Sequence, residues 1–450
     1  MYSKIISKHI FPAWTRLKYP RLDKYYKHFE QTQWWSRENL RAYQTEKLRK
    51  LIKHAYNNVQ YYRELFRHEK LTPSDIKKID DLNKIPITKK STMKKNYSSK
   101  EAFATNYRDF SPTVSRSSGS TGSPMALIRG QNAAVISEAL MWRFYDWMKV
   151  ERSDSEIMLW GRPFVSNWIQ TRRKHFSRFL RGVTEFNSYG WARDDYISCL
   201  RWIKRIQPKI IRGYAAVVYI LAKTAKEEGY KDIYPEAVTT TAQTLLGPQR
   251  EVIEHQFNTK VFDQYGGSES LIAACECEQH YGYHVIDEHI ILELVENDGL
   301  PPGVKKIVIT DLDNYAQPFI RYENGDLGEP LDNWQCQCGR GLSMLKSIKG
   351  RTQDIILTED DRYFTLEPFT GILLNINGVD HFQIIQDSKR SITMKIVKNN
   401  SFLEKDLKFI KDNLDLLLDN SLNYSIEFVG TIPISESGKN KILISKVNNL

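Results

Sequence analysis

The chain is 450 residues long, carries 65 Lys and Arg against 54 Asp and Glu for a formal net charge of +11, and is 41% hydrophobic. These values exclude a disordered chain and a single ordinary core, and leave room for two or three domains. No apolar run approaches the roughly 20 residues that span a bilayer, no signal-peptide core stands at the start, and no zinc-finger spacing or RNP-like strand accompanies the charge. A cytoplasmic protein that takes anionic small molecules rather than nucleic acid is expected.

Residues 1 to about 100 read as a helical leader, because Leu48, Leu51, Ile52, Ala55 and Tyr56 recur at helix spacing and no glycine occurs before Gly119. Its aromatic, basic start (Phe11, Trp14, Tyr19, Tyr25, Tyr26, Trp34, Trp35) reads as a shell on the main body, with contact to the inner face of a membrane as the alternative. Short strands at 113–117 and 125–128 flank a Ser/Gly loop, and a helix follows at about 132–149. Strands at 157–160, 210–211, 237–241 and 261–265 then alternate with helices near 194–206, 215–228 and 248–257, the pattern of a mostly parallel sheet covered by helices. Further strands are expected at 283–286, 290–295, 306–310 and 318–322.

After Gly350-Arg351 the pattern restarts as an α+β unit of about 100 residues. It reads as a hairpin across 355–364, a helix at 366–375, strands at 380–386 and 391–397, a helix at 402–419 and a strand at 424–430. The second helix sets Leu403, Leu407, Ile410, Leu414 and Leu417 on one face. The expected fold is therefore α/β: a large multi-sheet N-terminal domain, residues 1–350 with the helical leader at 1–100, and a small α+β C-terminal domain, residues 351–450.

Several stretches carry chemistry. Ser117, Ser118, Gly119, Ser120, Thr121, Gly122 and Ser123 offer a hydroxyl at every position but the two glycines, which let the backbone approach an anion closely. The loop lies between strands and ends in no Gly-Lys-Ser/Thr, so it is not a Walker A loop, and its plain alternative is a surface hairpin. The run Asp263-Gln-Tyr-Gly-Gly-Ser-Glu269 puts carboxylates after a strand, where Mg²⁺ beside ATP phosphates would find oxygen ligands, and Tyr265 suits a stacked base. Residues 311–326 end in a Gly-Asp corner at Asp326, suited to ribose hydroxyls, and Arg351 follows with a guanidinium. Lys439, in Ser437-Gly-Lys-Asn-Lys441, is a flexible point charge on a Gly turn. Four of the five cysteines form the pairs Cys275/Cys277 and Cys336/Cys338, with His280 and His284 between, which argues for a metal rather than disulfides, packed reduced thiols being the alternative. Cys199 reads as buried and inert.

In this order the blocks resemble the adenylate-forming (acyl-CoA synthetase-like) superfamily, in particular its branch of phenylacetate–CoA ligases and capsule-biosynthesis CapK-like proteins. The resemblance covers nearly the whole chain, and residues 48–63 and 82–89 are similar to that branch's N-terminal signature. It implies that Ser117, Ser118, Gly119, Ser120, Thr121 and Gly122 hold the β- and γ-phosphates, that Thr241, Ala242, Gln243 and Tyr265 frame the adenine, that Ser268 touches phosphate and Glu269 binds Mg²⁺, and that Asp326, supported by Arg351, holds the ribose. Lys439, with Lys441 as its competitor, would reach between the carboxylate and the α-phosphate, and the small domain would then rotate. It picks Cys277, His284, Cys336 and Cys338 as a structural zinc site, leaving Cys275 and His280 spare. By analogy Tyr189, Tyr214, Ala215 and Gly267 line the acid pocket.

Met125 stands where relatives often carry Lys, Gln243 where Glu is common, and Gln353 at a hinge usually Asp or Lys. The implied activity is an ATP- and Mg²⁺-dependent, AMP-forming ligase that activates a carboxylic acid and passes the acyl group to CoA or another acceptor, an amino sugar in surface-polysaccharide assembly among them. An adenylyltransferase that leaves AMP on its target and a non-catalytic, membrane-associated assembly protein are the alternatives.

Overall fold

The structure, a computed structural model, describes residues 10–116, 126–160, 179–188, 191, 193–243, 245, 247–296, 303–331, 335–349, 356–359, 363–364, 366–373, 376, 378–432 and 443–447. The leader is helical as read: Phe11–Lys18, Leu22–Thr32, Arg37–Asn58, Gln60–His68 and Lys90–Ser98. The longest of these starts at Ser36, whose hydroxyl accepts the Asn39 N–H at 3.2 Å and so satisfies one of the free amides of the first turn. Its apolar stripe, Leu48, Leu51, Ile52 and Ala55, is fully buried in a cluster with Leu312, Phe319, Ile320 and Tyr322. The leader is thus a shell packed on the main body. Among the described residues no helix is long and apolar enough to cross a membrane.

One twelve-stranded sheet, counted among the described residues, dominates the chain. Its parallel side runs Val183–Phe186, Glu156–Leu159, Ile210–Tyr214, Ala237–Thr241, Val261–Gly267. The helices Arg193–Ile206, Ala215–Glu227 and Gly247–Phe257 pack with these strands around Ile211, Val218, Leu221, Val238, Ile253 and Val261. Strands covered in this way can be apolar throughout, and Ala237–Thr241 is buried at every position.

The chain then reverses. Leu271–Glu276, Tyr283–Val285, Met344–Ile348, Tyr322–Pro330, Lys305–Asp311 and Ile290–Val295 continue the sheet in antiparallel order, and Thr88–Lys89 adds a parallel pairing to Tyr322–Pro330.

The strand expected at 318–322 is displaced. It begins at Tyr322 and runs to Pro330. Pro318 has no N–H to give a ladder, Arg321 is in the left-handed region (φ +47), and this segment instead closes back on itself through the Asp311 N–H to the Phe319 carbonyl at 2.9 Å. Val183–Phe186, Leu271–Glu276, Met344–Ile348 and Leu443–Ser445 are strands that the sequence pattern did not signal.

From Ile356 onward, a four-stranded sheet in the order Asn423–Phe428, Ser391–Lys398, Val379–Ser388, Leu443–Ser445 packs with the helices Leu366–Leu373 and Glu404–Leu418. Ile356–Leu357 pairs with Tyr363–Phe364 in a separate hairpin. The core of this region (Phe364, Phe369, Ile384, Met394, Ile410, Leu414) draws only on residues 356–443. Leu403 precedes the second helix and is exposed, so Ile410, Leu414, Leu417 and Leu418 bury its apolar face.

Candidate active site and metal centre

The parallel pairing of three strands ends together. Tyr214 lies opposite Thr241, and Thr241 opposite Gln264. In open α/β sheets this carboxyl edge is where ligands bind. Ala242, immediately after Thr241, has φ +65, an uncommon conformation for a residue with a Cβ, so the chain turns sharply there and leaves Gln243 buried. The Tyr214 ring lies 4.7 Å from that of Trp160, and Ala215 begins the next helix fully buried. Gly267 is exposed at the end of its strand.

The last parallel strand folds back through the turn at 268–270. Gly266 makes that possible: a Cβ there would sit 1.9 Å from the Leu271 carbonyl. On this strand the Tyr265 hydroxyl donates to Asp326 Oδ2 at 3.0 Å. Asn324 Nδ2 donates to both, 2.8 Å to each oxygen. Burial, and then the Asp326 charge, push the Tyr265 phenol well above its usual range, so it stays a neutral donor. In the turn itself, Glu269 Oε1 accepts from the Tyr322 hydroxyl at 3.3 Å.

Asp326 lies in a bulge rather than at a corner. Lys306 faces Leu327 and Val308 faces Glu323, so the strand Tyr322–Pro330 carries two residues more than its neighbour between these pairs. Gly325 supplies the positive φ, +87, that the bulge needs.

Around the turn lies a charge network that the sequence did not signal. Arg129 Nη2 donates to the Ser268 carbonyl. His289 bonds the Ser270 carbonyl through Nε2 at 3.0 Å and Asp313 through Nδ1 at 2.7 Å. Lys47 Nζ lies 2.6 Å from the other Asp313 oxygen. Burial opposes the charged forms, yet Asp311 and Asp313 raise His289 above its usual value, while Lys47 and His289 hold Asp313 below its own. Although His289, Asp311 and Asp313 bring ligand atoms within 4.8 Å of one another, the nearby ammonium and an imidazole committed at both nitrogens make them an ion network and not a metal site.

Cys277, His284, Cys336 and Cys338 converge on the antiparallel side, their ligand atoms all within 4.8 Å. The sulfurs of Cys277 and Cys336 are 3.7 Å apart, and Cys338 Sγ is 3.3 Å from His284 Nε2. A tetrahedral ion with bonds of about 2.3 Å to sulfur sets S···S edges of roughly 3.8 Å, so three thiols and an imidazole at these spacings fit zinc. Cys275 instead joins the apolar core, and His280 packs its ring 4.5 Å from Phe262. Cys199 is buried, and burial raises its thiol to about 12.

Ser117, Ser118, Gly119, Ser120, Thr121, Gly122, Met125, Tyr189, Arg351, Gln353, Lys439 and Lys441 lie outside the described residues. The strands beside the Ser/Gly loop, Thr113–Arg116 and Ala126–Arg129, form an antiparallel pair.

A parallel sheet whose carboxyl edge meets an antiparallel side through a glycine hairpin, followed by a small α+β unit, is the fold of the adenylate-forming ligases. The 2-hydroxyisobutyryl-CoA ligase solved with 2-HIB-AMP and CoA in its thioesterification state matches with a TM-score of 0.61 at 18% identity, over 90% of this chain and 89% of that one. Residues 356–446 match the CapK C-terminal domain family. The chain is 26% identical over 358 residues to the phenylacetate–coenzyme A ligase of Thermus thermophilus, covering 78% of each, and 21% identical over 409 residues to Protein CapK of Staphylococcus aureus, covering 90% and 89%. Over most of its length the chain is thus similar to phenylacetate–CoA ligases and to CapK, and its fold is that of the adenylate-forming CoA ligases.

Proposed function

We propose that this chain is an AMP-forming carboxylate ligase. A carboxylate oxygen attacks the α-phosphorus of ATP, giving an acyl-adenylate and pyrophosphate. A nucleophile then attacks the acyl carbon and AMP leaves. The observation that carries this reading is the contact between Tyr265 and Asp326, 61 residues apart, at the same strand edge as Thr241. Asp326 would hold the ribose, Tyr265 and Thr241-Ala242-Gln243 the adenine, and Glu269 a Mg²⁺ ion. Ser268 and residues 117–122 would hold the phosphates. Mg²⁺, when bound, neutralises phosphate charge; Lys439, helped by Arg351 at the ribose, would shield the oxygens that converge in the first step. The unit 351–450 would act as a mobile lid on 1–350. Cys277, His284, Cys336 and Cys338 would hold a structural zinc ion.

Both CoA and an amino-sugar amine are chemically competent acceptors, and the similarity to CapK across most of the chain supports a place in surface-polysaccharide assembly. ATP and CoA are cytoplasmic reactants, so we place the enzyme there. The test is acid-dependent exchange of labelled pyrophosphate into ATP across a panel of aryl and short-chain acids, with the acceptor product weighed by mass spectrometry. Exchange with at least one acid and an acylated product that has lost water supports the ligase. A product that retains AMP, or no exchange with any acid, rejects it.

A further inference from the structure

Both backbone carbonyls that flank Glu269 are held by cationic side chains from distant parts of the chain. Arg129 donates to the carbonyl of Ser268, and His289 Nε2 donates to that of Ser270 at 3.0 Å. A carbonyl oxygen and an ionised carboxylate only accept, so His289, bonded to Ser270 O and to Asp313, donates from both nitrogens and is an imidazolium. It is fully buried, as is Asp311, whose Oδ1 is taken up by the N–H groups of Asp313 and Asn314 at 2.8 and 3.2 Å. Lys47, on the leader helix Arg37–Asn58, completes the balance at Asp313. Arg129 faces the charges of Asp311 and Glu269.

The arrangement does more than pair charges. Arg129 ends the strand that leaves the Ser/Gly loop, and this strand is anchored by side chains of the 311–321 segment. Gln317 accepts the Ile128 N–H at 2.8 Å, and Asn314 donates to the Ile128 carbonyl at 2.9 Å. One set of contacts therefore fixes the strand Ala126–Arg129 and both sides of Glu269.

We propose that Arg129 and His289 are positioning residues: together they clamp the turn at 268–270 and hold the Glu269 carboxylate in place. This rests on the reading of Glu269 as a Mg²⁺ ligand. Removing either grip frees the turn, so the carboxylate no longer meets a metal on the phosphates, while contacts to the base and ribose persist.

The test measures ATP binding to the full chain by calorimetry, in MgCl₂ and in EDTA, with melting curves as the folding control. R129M and H289N should reduce the strengthening of ATP binding by Mg²⁺ by about tenfold, the scale of one lost charge-assisted contact, and leave binding in EDTA unchanged. R129K keeps the cation, and H289Q keeps a donor for the Ser270 carbonyl; both should recover most of the effect, and they carry the test if R129M fails to fold. Equal losses with and without Mg²⁺ would overturn the clamp, since a general structural defect moves both. E269Q separates the two readings. If E269Q abolishes the Mg²⁺ effect while R129M and H289N leave it intact, the clamp alone is wrong. If E269Q leaves it intact, the Glu269 assignment fails and the clamp loses its purpose with it.

Discussion

On the parallel side of the large sheet, Tyr214, Thr241 and Gln264 stand side by side because three buried strands pair in register. On the antiparallel side, Asp326 reaches the same edge only because its strand carries two extra residues and a glycine at φ +87. The first placement follows from regular strands packed with helices around one buried cluster, and few substitutions short of unfolding would disturb it. The second depends on a local irregularity, and irregularities persist only where their surroundings over-determine them. Those surroundings include the Cys/His cluster: Cys277 follows Leu271–Glu276, His284 lies in Tyr283–Val285, and Cys336 and Cys338 precede Met344–Ile348, the neighbour of the bulged strand. The two sides should therefore fail separately, and the cluster is the place to make them do so.

Loss of the proposed zinc ion should have the largest effect. A structural zinc ion contributes on the order of 10 kcal/mol in small zinc domains, more than the whole stability of many proteins. Cys336→Ser, or prolonged chelation, should speed hydrogen exchange in Met344–Ile348 and Tyr283–Val285 while Ile210–Tyr214 stays protected. Elemental analysis should find about one zinc per chain, as a filled four-ligand site requires. A purified chain that is stable without metal would end the zinc assignment, and uniform loss of protection would end the distinction between the two sides.

Next in size is Lys439→Ala. Loss of a group aimed at charge that develops during reaction slows the step by on the order of 10²–10³. Acid-dependent pyrophosphate exchange should fall by that factor with ATP affinity kept, because both sides of the sheet site are untouched. An unchanged rate would remove Lys439 from the chemistry.

Asp263 probes the junction through pH. It lies on the last parallel strand, bonded by the hydroxyls of Thr240 and, at 2.7 Å, of Tyr283 from the antiparallel side. Burial, and then the nearby Glu276, push it up to about 6. A raised carboxyl binds its proton more readily in the folded chain than in the unfolded one, so folding gains from this group as pH falls from about 7 towards 4. A rise of this size is worth at most about 3 kcal/mol. Asp263→Asn should therefore cost less stability at pH 7 than at pH 4.5, measured by denaturant unfolding of both chains at each pH. The reverse order would mean that Asp263 is held charged by its partners.

The same contrast explains what could be read before the fold was known. Strands 237–241 and 261–265 and the helix between them were legible because β-branched and apolar runs alternate with a helical pattern. Leu271–Glu276 was not, since Ala273 and Ala274 favour strands weakly and its register is imposed by the Gly266 hairpin. Pro318 and Phe319 mislead because an apolar run without a ladder donor looks like a strand until its packing against the leader is seen. Site blocks with their own composition, such as 263–269 and the paired cysteines, announce themselves. Lys47, Arg129 and His289 do not, because each is a lone residue whose meaning comes from a partner more than a hundred residues away or on another element.

The smallest expected effect tests the join between the two sides most directly. Tyr265→Phe keeps the ring that would stack on the base and removes only the hydroxyl shared with Asp326 and Asn324. A hydrogen bond of this kind contributes about 1 kcal/mol net, so ATP should bind roughly fivefold more weakly. Asn324 still holds Asp326 at 2.8 Å, and the exchange rate at saturating ATP should stay as it was. Asp326→Asn alone should cost more, because it also weakens the acceptor offered to the ribose. The double variant decides the matter: if the contact couples the sides, the two losses overlap by about 1 kcal/mol. Strict additivity would mean that Tyr265 and Asp326 reach the nucleotide independently, each placed by its own side of the sheet, and that their contact is a by-product of that placement.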